Sequence, residues 1–138
     1  MTMKLEHIAL WTRNIEALKD FYVKYFNAVS NEKYRSTHDF NQPFESYFLS
    51  FAGDCRLELM QMASIPDGDS AGGNETIGLT HFSFALDSRD ALEALATRLE
   101  ADGHRLAGKP RMTGDGFYEA CVLDPDGNRV EFAVVPEA

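Results

Sequence analysis

The sequence predicts an α+β fold made of two fused copies of one βαβββ unit. Three observations carry this. Runs with period-2 alternation or β-rich composition occur eight times. Two runs with helical spacing follow the first and the fifth of them. The halves also match in residues: Leu5-Glu6-His7 aligns with Leu79-Thr80-His81, and Arg56-Leu57-Glu58-Leu59 with Arg129-Val130-Glu131-Phe132. His81 follows His7 by 74 residues and Glu131 follows Glu58 by 73, so both pairs recur at nearly one offset. A repeat of this length, present twice, suggests duplication of a supersecondary unit rather than a solenoid.

In order, residues 4–11 read as a strand with Leu5, His7, Ala9 and Trp11 on one face and Ile8 and Leu10 on the other. Asn14 is placed to cap a helix running to about Asn27. Its Ile15, Leu18, Phe21 or Tyr22, Tyr25 and Phe26 recur at core-facing spacing. Residues 29–34, 46–52 and 55–62 read as strands, the first two joined by a polar connection with His38, Asn41 and Pro43. These elements make a first module over 1–64. Residues 65–78, with Pro66, Gly68, Gly72 and Gly73, read as a linker.

The second module, 79–138, restarts the pattern. Residues 79–86 read as a strand, and Asp87 or Ser88 caps a helix whose Leu92, Leu95 and Leu99 face the core. Gly103 closes that helix. Strands follow over 104–112 and 117–123. Asp124-Pro125-Asp126-Gly127 then forms a tight corner, since proline presets the second turn position and glycine tolerates positive φ. In the last strand Val130, Phe132 and Val134 share one face, and Arg129, Glu131 and Ala133 the other. A mid-strand carboxylate among apolar neighbours is an unusual choice.

The bulk numbers bound the function. A net charge of −9 argues against nucleic acid or an anionic membrane as partner. No apolar run reaches the ~20 residues of a membrane span, and the first residues lack the apolar core of a signal peptide. Cys55 and Cys121 lie in predicted strands without CxxC spacing, which suits reduced thiols. A soluble, acidic, cytoplasmic protein is the expectation.

Each half offers one histidine from its first strand and one glutamate from its last. Approximate twofold symmetry between the halves would gather His7, Glu58, His81 and Glu131 on a concave sheet face. Two imidazoles and two carboxylates suit Zn²⁺, Ni²⁺, Fe²⁺, Mn²⁺ or Co²⁺ and not the oxygen-rich shell that Ca²⁺ prefers. His38, in the polar connection, and His104, just after a helix terminus, read as non-ligands.

These motifs, with Asp20-Phe21-Tyr22, Gly78-Leu79-Thr80-His81 and the run from Asp124 to Glu131, resemble the vicinal oxygen chelate superfamily of glyoxalase I and bleomycin-resistance proteins. The resemblance covers nearly the whole chain. It implies an eight-stranded, cup-shaped mixed sheet around one divalent metal, often in a homodimer. It also implies catalysis by chelation of adjacent oxygens of a small-molecule substrate. Ring-cleaving Fe²⁺ dioxygenases and fosfomycin-modifying transferases match His7, His81 and Glu131 only. Glyoxalase I and related epimerases use the fourth position, filled here by Glu58.

The set is most similar to bacterial glyoxalase I, lactoylglutathione lyase, with Ni²⁺ or Zn²⁺ as the leading metals. Glu131 would then be the catalytic base and Glu58 its symmetric partner. One departure concerns the substrate. The arginine and asparagine with which glyoxalase I binds glutathione carboxylates are replaced here by Trp11 and Met62. With Met60, they predict an apolar pocket lining near the metal, and Arg129 is a further pocket candidate. The expected substrate is a hemithioacetal or 2-oxo/2-hydroxy compound less anionic than a glutathione adduct. An epimerase, a dioxygenase and a drug-binding bleomycin-resistance module are the alternatives.

Overall fold

The computed structural model describes residues 1–68 and 75–137. The chain divides into two compact units, Met1–Asp67 and Gly68–Ala138. Each holds one helix and one sheet, and the described strands form no closed barrel. Of the predicted linker, Gly72 and Gly73 lie outside the described residues.

In the first unit, β1 (His7–Trp11) leads to α1 (Ile15–Phe26), followed by β2 (Val29–Ser30), β3 (Tyr34–Ser36), β4 (Phe44–Ser50) and β5 (Arg56–Met62). The sheet order is β1-β5-β4-β2, with β3 also paired to β4. Only β1 and β5 are parallel. β1 begins at His7, three residues after the predicted start, because its partner β5 begins opposite it at Arg56.

The Asn14 side chain caps α1 by accepting from the Ala17 amide at 3.0 Å. Asn27 ends the helix in the left-handed region at φ 56, a conformation a short polar side chain tolerates. The helix is also tied to the sheet, since the Ile15 amide donates to Gln61 Oε1 at 2.8 Å. Ile15, Leu18, Phe21, Tyr22, Tyr25 and Phe26 are all buried, as their spacing predicts. They pack with Tyr47, Leu49, Leu57 and Leu59 into the unit's core. His7 and Glu58 stand on the sheet's other face.

The strand predicted over 29–34 is broken. Asn31 exchanges a backbone bond and a side-chain bond with Phe48, donating N–H to its carbonyl at 3.1 Å and accepting from its amide at Oδ1 at 2.8 Å. The side chain thus takes a ladder position and lets the backbone leave the sheet. The described residues therefore form nine strands rather than eight.

In the second unit, β6 (His81–Ala85) precedes α2 (Arg89–Ala101), β7 (Leu106–Met112), β8 (Tyr118–Leu123) and β9 (Arg129–Val134). The order is β6-β9-β8-β7, with β6 parallel to β9. Ser88 is the cap of α2, its hydroxyl accepting from the Ala91 amide at 3.1 Å. Leu92 and Leu99 are fully buried, while Leu95 is half-buried and Ala96 takes the core position beside them. The β7–β8 register shifts between Gly108 and Arg111, around Pro110, which has no N–H to give the ladder.

The corner between β8 and β9 is built on Asp124. One carboxylate oxygen accepts from the amides of Asp126 and Asn128 at 3.0 and 2.9 Å. The other accepts from the Asn128 side chain at 2.9 Å. Gly127 adopts φ 83 and donates to the Asp124 carbonyl at 2.9 Å. This corner fixes β9, with Val130 and Phe132 at 0% exposure under α2 and Glu131 on the opposite face.

Candidate metal centre

The same construction appears once in each unit. In the first, parallel register sets His7 beside Arg56 and Ala9 beside Glu58. Neighbours in register share a face, so Glu58 lies diagonally from His7, with Oε1 3.6 Å from Nε2. In the second, His81 stands beside Arg129 and Ser83 beside Glu131, and Glu131 Oε2 lies 3.3 Å from His81 Nε2. The glutamate side chains are only 19% and 16% exposed, the histidines 39% and 40%. Each unit thus presents one imidazole nitrogen and one carboxylate oxygen directed at each other. Among the described residues, no group of three or more His, Cys, Asp and Glu side chains is close enough to hold a metal ion.

The surroundings of the two pairs differ. Beside His7, Glu6 Oε1 lies 3.2 Å from Nδ1 and also accepts from Arg56. The Arg56 contact holds the Glu6 carboxyl below the usual carboxylate range. Arg56 lies 4.2 Å over the Phe48 ring, and His7 meets that ring edge-on at 5.3 Å. Further along the same face Trp11 pairs with Met60 and Met62 with Phe44, while Trp11 meets the Phe44 ring at 6.2 Å. The predicted lining Trp11, Met60 and Met62 therefore shares the His7–Glu58 face. A cavity of about 330 Å³ touches Phe44 and Met62 and reaches Arg35 and Gln61.

Beside Glu131, Cys121 stands directly opposite and Glu119, paired with Ala133, two pairs further along β8. Burial, and then a hydrogen bond shared with Glu131, raise the Glu119 carboxyl above its ordinary value. Burial, and then the Glu131 charge, push the Cys121 thiol up. The predicted pocket residue Arg129 is paired with Glu75, its Nη1 2.8 Å from Oε1.

Of the two histidines expected not to be ligands, His38 lies in the loop after β3, and His104 follows the end of α2, its amide donating to the Leu99 carbonyl at 2.9 Å. Sequence reasoning missed Glu6, Phe48, Glu119 and Cys121 as neighbours of the pairs. The register of the Asp124–Asn128 corner, counted outward, sets Cys121 opposite Glu131 and was a usable signal.

A two-helix, two-sheet α+β chain with a histidine–glutamate pair repeated in each unit defines a class. Residues 4–132 match the model of the Glyoxalase/Bleomycin resistance protein/Dioxygenase superfamily, and the chain belongs to that family. It is 24% identical over 130 residues to the uncharacterised protein YqjT of Bacillus subtilis (strain 168), covering 92% of this chain and 95% of that one. Among solved structures, a glyoxalase I variant from Zea mays superimposes with TM-score 0.77 at 19% identity. That match covers 97% of this chain, which spans 45% of the maize one. A glyoxalase family protein from Bacillus cereus gives TM-score 0.78 at 12% identity, covering 99% of this chain and 97% of its own. The lactoylglutathione lyase of Agrobacterium tumefaciens gives 0.66 at 23% identity, covering 96% and 94%.

Proposed function

We propose that this chain is a metal-dependent lyase or isomerase of the glyoxalase I type, acting on a small hemithioacetal or 2-oxo/2-hydroxy compound. The observation that carries the reading is the histidine–glutamate pair built twice in one parallel register, at 3.6 and 3.3 Å. Duplication preserves a fold without preserving a diagonal pair of polar side chains on it. Retention of both pairs favours shared chemistry.

In this reading His7, Glu58, His81 and Glu131 together hold one divalent transition metal, Ni²⁺ or Zn²⁺ foremost and Fe²⁺, Mn²⁺ or Co²⁺ as alternatives. Imidazole nitrogens and carboxylate oxygens are the donors such ions take. When bound, the ion would supply Lewis acidity toward two adjacent substrate oxygens. The chain's own part is proton transfer. Glu131 accepts the proton from one substrate carbon and returns it to the next, and Glu58 is the symmetric partner for the opposite hand. Trp11, Met60 and Met62, on the His7–Glu58 face, would exclude water and bind an apolar substrate portion, and Arg129, beside His81, is a further candidate for substrate contact. The proposal extends to a cytoplasmic homodimer, an assembly frequent in the family.

Elemental analysis of the purified protein tests the metal first. One transition metal per chain, lost in His81→Ala, is the expected result. No metal after incubation with Ni²⁺, Zn²⁺, Fe²⁺ and Mn²⁺ would sink the proposal and leave a ligand-binding module of the bleomycin-resistance kind. Turnover of hemithioacetals under anaerobic conditions separates the isomerase from a dioxygenase, which consumes oxygen.

A further inference from the structure

We infer that Glu6 is a positioning residue that holds His7 as its Nδ1–H tautomer, so that Nε2 is presented as a lone pair on the Glu58 side. The inference rests on the proposed metal-binding role of His7. Three contacts on the first unit carry it. Glu6 Oε1 lies 3.2 Å from Nδ1, within hydrogen-bond reach of a donating imidazole N–H. The same oxygen accepts from Arg56, at Nε from 3.1 Å and at Nη2, which anchors the carboxylate. Phe48 backs both partners, with the Arg56 guanidinium 4.2 Å above its ring and the His7 ring edge-on at 5.3 Å and 86°.

A neutral imidazole carries one proton, and the hydrogen bond made by one nitrogen decides which it is. With Nδ1 donating to Glu6, Nε2 is left as the acceptor, 3.6 Å from Glu58 Oε1. A carboxylate on the far nitrogen also fixes the ring's orientation and raises its basicity as a ligand. The second unit is built differently. Thr80 holds the place of Glu6, and Cys121, opposite Glu131, holds the place of Phe48, opposite Glu58. Neither supplies a carboxylate or an aromatic ring. The repeat is thus symmetric in its ligands and asymmetric in what orients them, and the first unit's histidine is the preorganised one.

The test uses metal-free full-length protein, in which long-range ¹H–¹⁵N correlation reads which ring nitrogen of His7 carries the proton. The expected result is Nδ1–H in the parent, with that bias lost in Glu6→Ala and kept in Glu6→Gln, whose amide oxygen still accepts. Zn²⁺ affinity, measured by competition with a chromophoric chelator, should fall about 10- to 100-fold in Glu6→Ala and largely recover in Glu6→Gln. If the Arg56 ion pair were the only role of Glu6, glutamine would behave like alanine, and the proposal would be overturned. An Nε2–H tautomer in the parent would overturn it equally. Absence of Zn²⁺ binding by the parent protein would refute the metal reading instead, and the tautomer would still report whether Glu6 holds the ring.

Discussion

Glu58 meets His7 diagonally, on an adjacent parallel strand but two residues out of register, with Arg56 occupying the in-register position. Glu131 and His81 repeat this relationship with Arg129 in the intervening place. A one-residue slip of either strand would turn its histidine or glutamate toward the helix. The buried residues flanking each glutamate, Leu57 and Leu59 or Val130 and Phe132, therefore fix the histidine–glutamate pairs as well as the core.

Glu131→Gln should bind the metal and lose turnover. The amide oxygen still has lone pairs to donate, but it cannot accept the proton from carbon. General-base catalysis contributes about 10²- to 10⁴-fold, so a loss of that size in kcat is expected at unchanged metal content. Retained turnover would remove Glu131 from the role of base. A loss confined to metal content would make it a ligand only.

Phe132→Ala should destabilise the protein by about 3–5 kcal/mol, because the ring is fully buried between β9 and α2 and leaves a cavity. Chemical denaturation reads this directly. Under conditions where the variant remains folded, its bound metal should be near one per chain, separating a packing residue from the proposed ligand beside it, Glu131.

Asp124→Ala should cost about 1–3 kcal/mol, since the carboxylate is 4% exposed and its removal leaves the Asp126 and Asn128 amides without their acceptor. Asp124→Asn keeps an oxygen toward those amides and should cost less. Equal losses in the two variants, measured by urea unfolding, would mean that charge rather than hydrogen bonding holds the corner.

The sequence pattern revealed the two modules because burial is periodic: the stripe from Ile15 to Phe26 and the alternation around Glu131 are local records of long-range packing. It revealed the ligand candidates because they recur at one offset. It did not reveal the break at Asn31, where a single side-chain amide replaces a backbone partner and no period changes. Nor did it reveal Glu6 beside His7, because alternation points consecutive residues to opposite faces. Glu6 precedes β1 and its side chain curls back to Arg56.

Acid should weaken the first unit through Glu16. Its carboxylate is held at about 2, first by Lys33 and then by the Tyr47 hydroxyl, which donates at 2.8 Å. A folded-state value below the ordinary 4.5 means that the ionised form binds its partners only in the folded protein. The contribution is therefore complete above about pH 4.5 and is lost as pH falls toward 2. The side chain is 49% exposed, so solvent screening reduces its worth to about 1 kcal/mol. Glu16→Gln should lower stability by about that amount at pH 7 and flatten the decline between pH 4.5 and 2. Parallel stability curves for the two proteins across that range would show that Glu16 does not carry the acid sensitivity.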